Sequence, residues 1–223
     1  MSETVQISEP SLADAFAPYA DLAESLLPHA YNEGDGSHDA AHLIRVWRNA
    51  SRIHEKEGGD GRILAAAVLL HDCISVEKNS PNRDKASRYA AERSFVLLDE
   101  LGWRTADMAA VAHAILTHSF SANIPPESLE AKILQDADRL DAIGMIGAAR
   151  CFYIAGRMGS GLYDPLDPLA ENRALDDKAF AIDHFGQKLF RLTDGFQTAT
   201  GHAMALERQT RLRQILDMLL DEI

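Results

Sequence analysis

The chain has 223 residues, 46% of them hydrophobic and 25% charged, with 14 Gly and 8 Pro. That is the composition of an ordinary globular protein and excludes a disordered, fibrous or membrane-spanning chain. With 22 basic against 34 acidic residues the net charge is −12, which repels a phosphate backbone and argues against stable nucleic-acid binding, while leaving room for a local basic patch that holds a small anion.

Only two cysteines occur, Cys73 and Cys151, each in an apolar helical stretch and not in a closely spaced framework. The N-terminus lacks the basic start and apolar h-region of a secretory signal, and the longest strongly apolar run, Ile63 to Leu70, is too short to span a bilayer. A reduced, cytoplasmic protein without membrane attachment is expected; oligomeric state is left open.

Apolar residues recur at three- and four-residue spacing almost throughout, and no useful length alternates as a half-buried strand does, so the expected fold is all-α. A first helix is expected after Ser11 as N-cap, running through Leu22, Leu26 and Leu27 until Pro28 interrupts it. A second begins near Ser37 or His38, buries Leu43, Val46, Trp47, Ala50 and Ile53, and stops at Gly58 and Gly59. The third, from about Gly61 to Cys73, is apolar almost all round, as befits the central helix of a bundle.

Helices are then expected from about Asp84 to Leu101, closed by Gly102, and from about Thr105, a candidate N-cap, to His118. One long helical pattern runs from Ser128 through Ile133, Ala137, Leu140, Ile143 and Ile146 into Phe152. Gly156 to Pro168 is the segment richest in turn residues, and two more helices, roughly Asp177 to Leu192 and Thr198 to Leu220, complete the chain. The last helices alone make a thin core, so a single domain over residues 1–223 is the economical reading.

The chemistry concentrates in His and Asp. His38 and His42 stand four residues apart, His71 and Asp72 are adjacent at a helix end, and Asp136, Asp138 and Asp141 lie on one largely apolar helix. Imidazole and carboxylate from three helices, without thiolate, suit a borderline or hard divalent cation. An Asp directly after the run Ala65 to Leu70 is costly to bury alone, so an inward-facing Asp72 requires a cation or an Arg; facing solvent, it is an ordinary helix-end residue. His29, His54, His184 and His202 read as surface or hydrogen-bonded residues, and His113 as structural. HDAAH, from His38 to His42, lacks the general-base Glu and the third ligand of a zinc protease.

One local reversal of sign follows the doublet: EKNSPNRDKASRYAAER carries Lys78, Arg83, Lys85, Arg88 and Arg93. In an acidic chain it reads either as a phosphate funnel or as a solvated loop and helix start.

The order His42, then His71-Asp72 in LLHDC, then Asp138 in DADRLD, with the blocks SHDAAHLIRVWRNA, HAILTHSF, EAKILQDADRLDAIGMIGAAR and DHFGQKLFRL, resembles the HD superfamily of metal-dependent phosphohydrolases, and within it the stand-alone bacterial YedJ/YpgQ-like branch. The resemblance covers about residues 35 to 215 and implies a single HD-type helical bundle. It implies that His42, His71, Asp72 and Asp138 hold one divalent metal ion, Mn²⁺ or Mg²⁺ before Fe²⁺ or Zn²⁺. His42 stands three residues before Arg45-Val46, as in the family's H-x-x-R-V, and Asp138 occupies the Asp of its A-D-R-L element; His38 and Asp136 are the alternates.

The implied activity is hydrolysis of a small phosphorylated molecule, with a nucleotide foremost and cleavage of a nucleoside triphosphate to monophosphate and pyrophosphate as the first reaction to test. Asp72 would orient the nucleophile. His118 is a candidate for phosphate binding, proton transfer or a second metal, against an ordinary helix-end role. Lys78 is the candidate for contact with the transition state, and Lys78, Arg83, Lys85, Arg88 and Arg139 are candidate substrate contacts. Arg139 has the alternative of pairing with Asp141 or Asp136. The rival reading is a non-catalytic or weakly active nucleotide-binding sensor.

Overall fold

The computed structural model describes residues 11–30, 39–74, 76, 85–119 and 123–223. Among these the chain is helical, without a β-strand; a single isolated bridge joins Gly161 to Phe180. The helices are α1 (Ala20–Ala30), α2 (Ala40–Glu57), α3 (Gly61–Leu70), α4 (Ala86–Glu100), α5 (Thr105–His118), α6 (Leu129–Asp141), α7 (Gly144–Met158), α8 (Asp183–Gln187) and α9 (Ala199–Leu220). None is long and apolar enough to cross a membrane.

Ser11 does cap a helix, reciprocally with Asp14, but that helix is a 3₁₀ turn, Leu12–Phe16, that stops before Pro18. α1 then starts afresh and carries Pro28 inside its last turn, so the expected break lies ten residues earlier than the sequence pattern placed it. Proline is costly in a helix because it takes away one N–H and clashes with the preceding turn. Near the C-terminal end only one such bond is forfeited.

α2 begins at an Asp39 cap, whose carboxylate accepts the His42 N–H at 2.9 Å, and ends at Gly58 with φ +85°. α3 is enclosed on every side: Leu64 to Leu70 are all 0% exposed. Each fully buried Val or Leu there contributes roughly 1.5–3 kcal/mol of transfer free energy. The helix ends three residues short of Cys73, and His71 and Asp72 form the turn that follows. α5 keeps the expected bounds, although Arg104, and not Thr105, is its N-cap and makes no side-chain cap.

The long pattern after Ser128 is two helices, not one. Gly144 takes φ +73°, a left-handed conformation open to glycine, and an added Cβ would lie 3.1 Å from the Arg208 side chain. The apolar periodicity continues across this corner because Ile143 is buried on one side and Ala148 on the other. α7 in turn extends to Met158 and is closed by Gly159 at φ +75°, so the turn-rich segment starts later than its composition indicates. The expected helix from Asp177 to Leu192 is reduced to the single turns of α8 and Leu189–Arg191.

The main core gathers α1 to α6 around α3, with Met204 and Ala205 of α9. A second apolar cluster lies between α7, the α8 region and Leu212 of α9, and Leu192 packs against both. α9 starts at a Thr198 cap and spans the two clusters.

Candidate metal centre

Four helices deliver side chains to one point. His42 stands in the first turn of α2, His71 and Asp72 follow the end of α3, His118 closes α5, and Asp138 lies in the last turn of α6. His42 Nε2 and His71 Nε2 are 3.3 Å apart. Asp72 Oδ2 lies 3.5 Å from His71 Nε2 and 3.8 Å from His42 Nε2. Asp138 Oδ1 lies 3.7 Å from His42 Nε2 and 4.0 Å from His71 Nε2. The other Asp72 oxygen, Oδ1, faces His118 Nε2 at 3.7 Å.

The far nitrogen of each ring is spoken for. His71 Nδ1 is 2.7 Å from the Val68 carbonyl and His118 Nδ1 is 2.6 Å from the Ile115 carbonyl. A carbonyl only accepts, so each Nδ1 carries the proton and each Nε2 of the neutral ring presents a lone pair inward. His42 Nδ1 donates in the same way to the Asp141 carboxylate at 2.9 Å.

This donor set fits a divalent cation on chemical grounds. His42 Nε2 and His71 Nε2, 3.3 Å apart, share either a proton, which the raised His42 pKa favours in the metal-free protein, or a cation that takes its place. An octahedral ion with bonds of about 2.1 Å puts neighbouring donors about 3 Å apart and opposite donors about 4.2 Å apart. The separations among His42, His71, Asp72 and Asp138 fall in that span. Ligand atoms of His42, His71 and Asp72 all lie within 4.8 Å of one another.

The electrostatics follow the same geometry. Burial, opposed by Asp72 and Asp138, lowers the His71 pKa and keeps the ring neutral. Burial also penalises charge on His42, but the hydrogen bond to Asp141 and the nearby carboxylates outweigh it and raise its pKa. Asp141 is itself 1% exposed; its burial is overcome by His42 and Arg45, and its pKa is held down to about 2. Arg45 meets both Asp141 oxygens at 2.6 and 3.0 Å, and Arg150 meets Oδ2 at 3.0 Å. Burial beside Asp72 pushes the Cys73 thiol up to about 12, so it is no thiolate donor at neutral pH.

Helix phase sorts the three aspartates of α6. Asp138 and Asp141, three residues apart, share the face turned to α2. Asp136 and Arg139 share another. Both Asp136 oxygens are occupied at the start of α9, Oδ1 by the Gln197 N–H at 2.8 Å and Oδ2 by the Thr198 N–H at 2.8 Å and hydroxyl at 2.7 Å. Asp136 is thereby a brace for α9, and the alternative ligand role is corrected. Arg139 NH1 donates to the Asp194 and Gly195 carbonyls at 3.1 and 2.9 Å, and of the two alternative partners Asp136 is the one whose charge acts on it, whereas Asp141 is taken by His42, Arg45 and Arg150.

Lys85 and Arg88 are exposed at the start of α4. His38, Lys78 and Arg83 lie outside the described residues. What the sequence pattern passes over is Asp141 with its two arginines; the available signal was its three-residue offset from Asp138.

Asp138→Ala is expected to lower metal affinity more than a hundredfold, since even outer partners of a ligand are worth 10–100-fold. Asp136→Ala should leave metal affinity within a few-fold but cost about 1–3 kcal/mol of stability by orphaning the donors of residues 197 and 198. Metal titration and urea unfolding of the two variants separate the roles; the reverse ranking would exchange them.

A helical bundle whose His, His-Asp and Asp converge at the end of a buried central helix is the architecture of the HD domain, and residues 39–143 match the HD domain family model. The chain belongs to that family. It is 37% identical over 190 residues to YpgQ of Bacillus subtilis (strain 168), covering 83% of this chain and 84% of that protein. The crystal structure of Bacillus subtilis YpgQ in complex with ADP superposes with a TM-score of 0.65 at 33% identity, over 95% of each chain. An HD-superfamily hydrolase from Bacillus thuringiensis superposes with a TM-score of 0.69 at 29% identity, over 91% of this chain and 96% of the other.

Proposed function

We propose that this HD-superfamily protein is a divalent-metal-dependent phosphohydrolase whose substrate is a nucleotide, and that it cleaves a nucleoside triphosphate to monophosphate and pyrophosphate. The observation that carries the reading is the convergence of three inward-facing imidazole lone pairs and two carboxylates at one point. The ADP bound to the similar YpgQ structure supports the nucleotide class.

His42, His71, Asp72 and Asp138 would hold the ion through two imidazole nitrogens and two carboxylates, a mixed set that accepts Mn²⁺ or Mg²⁺ and also Fe²⁺ or Zn²⁺. When bound, it supplies Lewis-acid polarisation of the phosphoryl group and a more acidic water. Asp72 has one oxygen toward the two ligand histidines and the other toward His118, so it links the ion to the proton-transfer group. His118 Nε2, with its lone pair inward, would take the proton of the attacking water as the water oxygen bonds to the α-phosphorus and the bond from that phosphorus to the bridging oxygen breaks, which releases pyrophosphate with that oxygen. The basic residues Lys78, Arg83, Lys85 and Arg88 would draw the polyphosphate in, with Lys78 nearest in sequence to Asp72. With both cysteines unpaired and buried, the proposed compartment is the cytoplasm.

The test is a turnover screen of nucleoside mono-, di- and triphosphates with Mn²⁺, Mg²⁺, Fe²⁺ and Zn²⁺, resolving the products chromatographically. Release of pyrophosphate, abolished by chelation and restored by metal, is expected. Nucleotide binding without turnover under every metal would overturn the enzyme reading in favour of a sensor. Neutralising Lys85 with Arg88 should raise KM several-fold and flatten its salt dependence with metal content unchanged, because exposed charges act over about 8 Å at physiological ionic strength. An unaltered KM and salt response would make that segment a solvated surface.

A further inference from the structure

On the far side of His42 from the metal centre lies a cavity of about 430 Å³, whose walls include Arg45, Arg48, Ser51 and Arg52 of α2 and Arg208 of α9. The three α2 arginines are spaced i, i+3, i+7, which puts them on one helix face. Four guanidinium groups lining one cavity is a sharp local reversal in a chain of net charge −12. The one acidic residue in the lining, Asp141, is already committed to His42, Arg45 and Arg150.

The other arginines are not neutralised. Arg208 donates to the Leu140 carbonyl and, at 2.6 Å, to Asn49 Oδ1, both uncharged acceptors. Neither the Arg48 nor the Arg52 guanidinium has an ion pair or hydrogen bond with a described residue. Burial lowers the Arg208 pKa against the attraction of Asp141, with repulsion from Arg52, Arg211 and Arg45 adding to it. Ser51 adds a buried hydroxyl oxygen with no hydrogen-bond partner among the described residues.

We infer that this arginine-lined cavity is a second anion site, separate from the metal centre, that takes a multiply charged phosphate-bearing small molecule. Guanidinium forks match phosphate oxygens two at a time, and Arg48 and Arg52 keep their donors available for that purpose. The separation from the metal centre is built into the His42 ring: Nε2 faces His71 and Asp72, whereas Nδ1 faces Asp141, which lines the cavity. A ligand held here needs no metal, so the inference stands apart from the proposed reaction.

Pyrophosphate is the probe, titrated calorimetrically at physiological ionic strength into protein stripped of metal and freed of chelator. Wild type and Asp72→Ala are expected to bind one equivalent with the same affinity. Arg48→Gln with Arg52→Gln should bind about tenfold more weakly or worse, the loss of two charge-assisted contacts, with an unchanged circular dichroism spectrum because both side chains are exposed. Arg52→Gln alone gives an intermediate loss and serves where the double variant does not fold. Equal affinity of wild type and the double variant, abolition of binding by Asp72→Ala, or no saturable binding to wild type would each overturn the inference.

Discussion

Asp72→Ala is expected to reduce bound metal to background and to lower hydrolysis by more than a hundredfold, while the far-ultraviolet circular dichroism of the metal-free protein stays that of a helical bundle. Among the described residues, Asp72 is the one that faces both His42 and His71 through one oxygen and His118 through the other. Its loss thus removes a ligand and the link to the proton acceptor at once, an effect larger than the 10–100-fold typical of removing a supporting group. The fold survives because the Asp72 side chain is 29% exposed and contributes nothing to the enclosed packing of α3. Metal analysis of the dialysed variant and its steady-state rate decide the matter. Stoichiometric metal with full turnover would defeat the assignment.

The second large effect lies one shell further out. Asp141→Ala should destabilise the metal-free protein by about 3 kcal/mol, the low end for breaking a buried ion pair, since Arg45 and Arg150 are 30% and 25% exposed and regain some water. The same variant should weaken metal binding, because His42 loses the acceptor that holds its proton on Nδ1. The pH dependence has a definite sign. A carboxylate held down to about 2 from an ordinary 3.8 binds fewer protons folded than unfolded. Its contribution, about 2 kcal/mol, is complete above pH ~4 and is lost as pH falls toward about 2. Chemical unfolding of metal-free wild type and Asp141→Asn across that window should show the wild type losing this increment and the variant lacking it at every pH. Parallel curves would place the stabilisation elsewhere.

Much of this site was legible in the chain because its parts are local. An apolar run that ends in His-Asp places two polar groups at the edge of a core whatever packs around it, and α3 is indeed buried up to Leu70. His42 over His38 came from the family's H-x-x-R-V spacing to Arg45-Val46. Asp138 over Asp136 came from the family pattern, since both stand on one helix and local propensity does not choose between them.

The composition and the 3.6-residue periodicity determined by themselves an all-α chain, the positions of α2 to α5 and α9 to within a few residues, and the residue types gathered for a cation, because these depend on backbone geometry and on neighbours within a turn or two. Only the tertiary structure decided which face of α6 meets α2, and hence that Asp138 joins the histidines while Asp136 ties down α9. It alone split α6 from α7, where Gly144 yields to Arg208 from 64 positions further along the chain. And it alone brought Asp141 to His42, 99 residues apart, and set Arg208 beside the arginines of α2. Contacts of that range are chosen by how whole helix faces pack, and the period of a single helix carries no record of its partner's.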